Sequence, residues 1–182
     1  AQLLLTGATN CLVQNNDIKA KKHQPENFEA CIKVDGGLGI QILNNTLEMD
    51  YNDPYSGGIA TSYNGILLSN GTQANITGNN IKFKKHEPDS LEACIKVEGP
   101  GSSAEIIGNT IEDGDYGILV TSAGTGVTID NNDIFAKRAQ PESYEACIKV
   151  ENMPGNPVEI LNNTIELYKD DYVYSLPVTL YG

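Results

Sequence analysis

The chain has 182 residues, a formal net charge of −12, 18 Gly and no Trp. Its acidic surplus argues against nucleic acid as a partner, because neutralising phosphates requires a surplus of Lys and Arg. No apolar run is long enough to span a membrane as a helix. The length suits one domain over residues 1–182. A start at Ala1 fits a processed chain, a trimmed chain or a segment of a longer solenoid.

The first twenty residues contain three short apolar stretches joined by turns. Apolar and polar residues alternate in each stretch, and a period of two predicts β-strands with the apolar side chains inward. The pair Asn15-Asn16 separates the second stretch from the third and marks a turn. The inward positions are Leu3, Leu5, Cys11, Val13 and Ile18, and we expect Cys11 to be a small buried hydrophobe.

The same pattern repeats to the end of the chain. The smallest spacing between equivalent residues, from Ile111 to Ile134, is 23 residues, which accommodates three short strands and three turns. The sequence therefore predicts an all-β fold, a parallel β-helix with three strands per coil and about six coils. The residues that begin the third strand are Ile18, Leu47, Ile81, Ile111, Ile134 and Ile165.

The turn before each third strand has the most regular sequence of the repeat. Its first position is always Asn or Gly, which indicates a positive φ, and its second position is always Asn. Equivalent residues of stacked coils lie about 4.8 Å apart, so these amides can hydrogen-bond from coil to coil. We predict an asparagine ladder of Asn16, Asn45, Asn79, Asn109, Asn132 and Asn163.

Two coil types alternate along the predicted axis. Cys-type coils contain Ala-Cys-Ile-Lys-Val around Cys31, Cys94 and Cys147. Gly-type coils contain Gly-Ile-Leu, in which Gly65 or Gly117 takes the place of the cysteine. The outward residues of the first strand then form a Leu/Lys stripe, made of Leu4, Lys33, Leu67, Lys96, Leu119 and Lys149. This stripe is either an exposed interaction face or a surface on which lysine stems cover the leucines.

The three repeated thiols, Cys31, Cys94 and Cys147, share one register position. Two coils apart, they lie roughly 9–10 Å from one another, beyond the ~7 Å limit of a disulfide. They are either packed inside the solenoid or in contact with partner chains. No CxxC or His-rich spacing accompanies them, so neither a zinc site nor a redox site is predicted. We expect His23 and His86 at the surface.

The loops between coils are charged. The loops of the Cys-type coils carry charges of both signs, which predicts a solvated flank. They contain Lys21, Lys22, Lys84, Lys85, Lys137, Arg138, Glu26, Asp89 and Glu142. The loops of the Gly-type coils carry carboxylates, which are ligands for Ca²⁺, although no known calcium-repeat spacing occurs, and no other cofactor is predicted. They contain Asp50, Asp53, Asp113, Asp115, Asp170 and Asp171. The longest insertion, residues 50–64, holds three tyrosines that either stack on sugars or pack on the solenoid.

The coil pattern resembles the right-handed, pectate-lyase-like β-helix superfamily over almost the whole chain. Gly117-Ile-Leu-Val120 followed by Ile129-Asp-Asn-Asn-Asp-Ile134 is an example. The resemblance implies the fold and leaves the activity open, since the superfamily includes lyases, hydrolases, epimerases, phage tailspikes and adhesins. Its lyases use Ca²⁺-binding Asp residues with a surface Arg or Lys, and the single Arg here is Arg138. The Asp-Pro-His-Glu pattern of alginate epimerases is absent.

Surface features that recur three times argue against catalysis, because an active site is singular. We therefore predict a non-catalytic structural or assembly module, extracellular or at the cell surface, in a filament, adhesin or surface layer. Its expected partners are copies of itself or neighbouring solenoid segments. Strand-like sequences at residues 2–6 and 174–182 favour end-to-end contacts. The alternative is a carbohydrate-binding or carbohydrate-active β-helix, lyase-like or tailspike-like, with a polysaccharide partner.

Overall fold

A computed structural model of the chain describes residues 1–22, 30–51, 63–83, 92–123, 126–137, 146–151, 157–168 and 178–180. In this part of the chain every regular element is a β-strand, and no helix is long and apolar enough to cross a membrane. The strands are β1 Leu3–Thr6, β2 Leu12–Gln14, β3 Asp17–Lys22, β4 Ala30–Asp35, β5 Ile40–Leu43, β6 Thr46–Tyr51, β7 Tyr63–Ser69, β8 Gln73–Thr77, β9 Asn80–Phe83, β10 Glu92–Glu98, β11 Ser103–Ile107, β12 Thr110–Glu112, β13 Tyr116–Thr121, β14 Val127–Asp130, β15 Asp133–Lys137, β16 Ala146–Glu151, β17 Val158–Leu161, β18 Thr164–Tyr168 and β19 Val178–Leu180.

The strands form three sheets, and every third strand along the chain joins the same sheet. The first sheet has the order β1-β4-β7-β10-β13-β16-β19, the second contains β2, β5, β8, β11, β14 and β17, and the third contains β3, β6, β9, β12, β15 and β18. All the strand pairs are parallel, as between β4 and β7 in the first sheet. Each coil thus gives one strand to each sheet, which confirms the predicted parallel β-helix with three strands per coil.

The described coils differ in how many neighbours they have. Four coils, which begin with β4, β7, β10 and β13, are stacked on both sides in all three sheets. The coil that begins with β1 is stacked on one side, and β17 and β18 are the last strands of their sheets. The first sheet continues one strand further, because β19 pairs with β16.

Inward side chains from the three sheets form one continuous core along the axis. In the coil that begins with β7, the three strands each contribute an inward isoleucine, and these residues, Ile66, Ile76 and Ile81, are fully buried. Ile66 stands opposite Ile95 of the next coil, so the register matches the prediction from the sequence. Each buried isoleucine contributes roughly 1.5–3 kcal/mol of hydrophobic free energy. The alternating apolar pattern therefore specifies both the strands and their stacking.

Candidate functional site

The corner between the third and first sheets is where the two coil types differ. The thiols of Cys31, Cys94 and Cys147 have no exposed surface, and none forms a disulfide. Sγ of Cys94 lies 3.6 Å from a main-chain oxygen of the third sheet in its own coil, and Sγ of Cys147 makes an equivalent contact at 3.8 Å. A buried thiol cannot reach another molecule, so the structure favours the packing interpretation over contact with partner chains. Cys11, expected to be buried, is partly exposed because its coil is stacked on one side only.

In the Gly-type coils no side chain fits at this corner. A Cβ on Gly65 would lie 2.5 Å from the main-chain oxygen of Cys94, and a Cβ on Gly117 would lie 2.6 Å from that of Cys147. A Cβ on Gly117 would also lie 2.5 Å from Cγ2 of Ile134 in the core. The contacts with the two main-chain oxygens are steric clashes that a rotamer change cannot relieve. The alternation of Cys and Gly is therefore a packing requirement.

On the outside of the same corner, the larger side chain belongs to the Gly-type coil and the smaller ones to the Cys-type coils. Tyr116, which precedes the glycine of its coil, stands in register between Ala93 and Ala146 of the two neighbouring Cys-type coils. These three residues are buried and form a small apolar cluster with Leu119. Cys-type coils thus place a thiol inside and alanine outside, and this Gly-type coil places tyrosine outside and nothing inside.

The Leu/Lys stripe lies on the outer face of the first sheet and is not an exposed apolar surface in the inner coils. Leu67 stands in register between Lys33 and Lys96, as predicted. However, Leu67 is only 4% exposed and Leu119 only 8%, whereas Leu4 is 58% exposed. The hypothesis of a continuous exposed stripe is therefore wrong, because long side chains flank each inner leucine on both sides.

The lysines of the stripe are compensated within the first sheet. Nζ of Lys149 lies 2.6 Å from Oε1 of Glu151 and 5.2 Å from the centre of the Tyr116 ring, and Lys96 pairs with Glu98 at 2.6 Å. Burial opposes the charge of Lys149, but Glu151 and Tyr116 outweigh it and raise the pKa of the ammonium group. Lys96 and Lys149 are therefore each paired with a glutamate of their own strand, and they do not form a free basic stripe.

The six ladder asparagines form one hydrogen-bonded column. The main-chain N–H and Nδ2 of Asn109 both donate to Oδ1 of Asn132 at 2.9 Å, and Oδ1 of Asn109 accepts the same two bonds from Asn79. Nδ2 of Asn109 also donates to a main-chain oxygen of the preceding coil at 2.9 Å. The same bonds join all the ladder asparagines from Asn16 to Asn163, and in each of them the donor belongs to one coil and the acceptor Oδ1 to the next coil. The column therefore has a direction.

The residue before each ladder asparagine has a positive φ, as the choice of Asn or Gly predicted. The values range from 51° to 67° and belong to Asn15, Asn44, Gly78, Gly108, Asn131 and Asn162. In this region of φ most L-residues are strained, while Asn and Gly are tolerated. The two-residue turn therefore fixes the spacing that brings the ladder asparagines into contact.

Acidic side chains of the Gly-type loops are described only in part. Nζ of Lys82 bonds a carboxylate oxygen of Glu112 and lies 3.9 Å from Oδ2 of Asp113. The hydrogen bond to Glu112 is the main reason why the pKa of Lys82 is raised. Within the described ranges no group of three or more His, Cys, Asp or Glu is placed to hold a metal ion. The calcium hypothesis also concerns Asp53 and residues 170–171, which lie outside those ranges, and it stays a prediction.

Much of the predicted charged flank also lies outside the described residues. This applies to residues 23–29, 84–91 and 138–145, which include both histidines and the single arginine, and to residues 52–62 of the tyrosine insertion. Tyr63, at the end of that insertion, is 4% exposed and packs against the core. It is therefore a packing residue rather than a stacking platform for a sugar.

The outer face of the second sheet is a surface that the sequence interpretation missed. In the Cys-type coils it repeats an exposed Gln or Glu followed two residues later by an aliphatic side chain. The pairs are Gln41 with Leu43, Glu105 with Ile107, and Glu159 with Leu161. A shallow groove of about 310 Å³ crosses β5, β8 and β11, and its polar lining consists of Gln41, Gln73, Asn75, Ser103 and Glu105. The signal was present in the sequence, as a Gln/Glu-x-Leu/Ile pattern with the doubled period.

Comparison with known proteins identifies the fold family. The family model described as right handed beta helix region matches residues 1–134, which include β1–β14. No curated protein and no solved structure matches the chain. The match covers well over half of the sequence and agrees with the three parallel sheets. The chain therefore belongs to the right-handed β-helix family.

Proposed function

We propose that the chain is a non-catalytic structural module of an extracellular or cell-surface assembly, such as a filament, an adhesin or a surface layer. Its coils continue by stacking on a coil of another copy or of a neighbouring solenoid segment. The observation that carries the proposal is the direction of the asparagine column. Within the described residues no donor reaches Oδ1 of Asn16, and the main-chain N–H of Asn163 reaches no further ladder oxygen. The two ends are therefore complementary, one with a free acceptor and one with a free donor.

The apolar core supports the same contact. Leu3 and Leu5 at one end of the stack, and Ile160 and Ile165 at the other, are only partly buried. Burying apolar surface yields roughly 25 cal/mol per Å². In addition, β17 and β18 are the edge strands of their sheets among the described strands, and an edge strand gains main-chain hydrogen bonds when another strand is added.

A charge placed on the stacking end tests this proposal. We expect the wild-type chain to form rods whose length increases with concentration, measured by light scattering after size exclusion and by negative-stain microscopy. Ile165→Lys should prevent this association, because it puts a charge in the apolar contact. Thr164→Lys, on the neighbouring exposed outward position, is the matched control and should still assemble. A wild-type chain that stays monomeric at all concentrations, or an Ile165→Lys chain that assembles normally, would contradict the proposal.

The carbohydrate-active alternative needs a base and a charge-stabilising group at one place. Lys82 is the described lysine that lies between two carboxylates, Glu112 and Asp113, but its raised pKa keeps it protonated and therefore unable to accept a proton. Calcium-dependent release of unsaturated products from acidic polysaccharides would nevertheless replace the structural proposal with a lyase. The measurement is the ultraviolet absorbance of those products.

A further inference from the structure

The outer face of the second sheet bears negative charge that the described residues do not neutralise. Its six strands contain no Lys or Arg. Glu105 and Glu159 are exposed, and neither forms an ion pair with another described residue. By contrast, Lys96 and Lys149 on the first sheet are each held by a glutamate of their own strand. The face is therefore suited to a cationic partner.

The area of this face limits the size of the partner. Six strands about 4.8 Å apart and three to five residues long cover about 400 Å². A standard protein–protein interface needs about 800 Å² on each side. A second copy docked through the same face would also bring carboxylates against carboxylates. The dimensions favour a slim, extended ligand that runs along the solenoid axis.

The spacing of the carboxylates matches one kind of extended chain. Glu105 and Glu159 belong to successive Cys-type coils, so they lie about 9.6 Å apart along the axis. A polyproline II helix rises about 9.3 Å in three residues, so every third residue lies on the same side. Two residues of a β-strand cover only about 6.7 Å, and one α-helical turn about 5.4 Å. A polyproline II peptide with a basic residue at every third position can thus place successive cations on the two glutamates.

The remaining side chains of the face also suit such a peptide. A polyproline II chain has no internal hydrogen bonds, so its carbonyl groups need external donors. Gln41, Gln73 and Asn75 line the groove beside Glu105 and provide amide donors and acceptors. Leu161 is 46% exposed on the same face and offers apolar contact to proline rings. None of the six strands contains an aromatic residue, so the face has no stacking platform for sugar rings.

We infer that the outer face of the second sheet is a binding site for an extended, proline-rich, basic peptide segment. The peptide lies along the axis in the polyproline II conformation, with a basic side chain at every third residue. Its cations bind Glu105 and Glu159, its carbonyl groups bind the amides of the groove, and its rings contact the aliphatic row. This inference is independent of end-to-end stacking, because it uses a different surface.

Fluorescence anisotropy with labelled eighteen-residue peptides tests the inference. The probe is (Pro-Pro-Lys)6, and the controls are (Pro-Pro-Gln)6 without charge and a peptide of equal length with Lys at every fourth position. Glu105→Gln combined with Glu159→Gln should weaken binding of the probe about tenfold, as expected for two exposed ion pairs. Asp133→Asn combined with Glu166→Gln removes the same charge from exposed positions on the third sheet and should leave binding within about twofold. Ile107→Lys should abolish binding, and circular dichroism checks that each variant is folded.

Several results would overturn the inference. These are an absence of binding by the probe, equal binding of the uncharged or fourfold-spaced peptide, and equal losses in the two double variants. Binding of an amino-sugar oligosaccharide that depends on Glu105 and Glu159, without binding of the probe, would instead assign the face to a carbohydrate.

Discussion

Cys-type and Gly-type coils share one core but place side-chain volume on opposite sides of the same corner. In one coil the Cys94 side chain packs inside and Ala93 lies outside, and in the next Gly117 places no side chain inside and Tyr116 fills the outside. Neither coil type packs against a copy of itself. The comparison teaches that the packing unit of this solenoid is a pair of coils, although its hydrogen-bonding unit is a single coil.

The largest expected effect tests whether the asparagine ladder is the same in both coil types. Asn79→Ala, in a Gly-type coil, and Asn109→Ala, in a Cys-type coil, should each lower the free energy of unfolding by roughly 3–5 kcal/mol. Each removes several buried hydrogen bonds, and an unsatisfied buried group costs about 1–3 kcal/mol. Urea denaturation measures both, and exposed Asn80→Ala is the control with little expected effect. Clearly unequal losses would mean that the coil types differ in hydrogen bonding as well.

The next effect concerns the buried leucines of the Gly-type coils. Leu119→Ala should cost about 2–3 kcal/mol of unfolding free energy, because the side chain is 8% exposed and packs in the outer cluster. Leu4→Ala is the matched control on the same row, and since Leu4 is 58% exposed its loss should be below about 0.5 kcal/mol. Thermal denaturation compares the two variants. Equal small losses would restore the exposed-stripe interpretation.

A substitution at the corner sharpens the comparison between the coil types directly. Gly117→Ala should lower the unfolding free energy by about 1–3 kcal/mol, since its Cβ would lie 2.6 Å from a main-chain oxygen. Gly126→Ala is the control, because a Cβ there would meet its nearest neighbour at an ordinary 3.5 Å. The urea midpoint of each variant gives the difference. If both glycines tolerate alanine equally, the packing explanation of the alternation fails.

The smallest effect, per pH unit, is a dependence on pH that comes from the buried thiol of Cys31. Burial raises the pKa of Cys31 from 9.0 to about 12, so the folded state keeps a proton that the unfolded state loses in this range. The free energy of unfolding should therefore fall as pH rises from 9.0 towards 12, by up to about 1.4 kcal/mol per pH unit for this group. Below pH 9.0 this group should cause no change of stability with pH. Cys31→Ala should show a shallower decline in urea titrations, and Cys11→Ala is the control. Identical declines for wild type and Cys31→Ala would contradict the expectation.

The sequence predicted the strands and their register because both follow from local signals. The period of two marks the inward residues, such as Ile66 and Ile95, and the Asn turn fixes where each third strand begins. These signals repeat in every coil, so an error in one coil is corrected by the others. The fold was therefore accessible without any knowledge of tertiary contacts.

The surfaces were harder to predict, because exposure depends on neighbours from other coils. Leu67 looks exposed from its outward position, but Lys33 and Lys96 on the two adjacent strands flank it and cover it. The peptide-binding face was missed for a different reason. Its residues vary in identity, as between Gln41 and Glu105, and only the assembled sheet shows that they form one row.

The Cys/Gly corner has a consequence for how such a chain can grow or shrink in evolution and in design. Removing one coil would bring two coils of the same type together, with either two empty corners or a side chain against a main-chain oxygen. Removing or duplicating two adjacent coils preserves every contact. Length variants of this solenoid should therefore occur in steps of two coils, and a gene that encodes them should duplicate in units of about sixty residues.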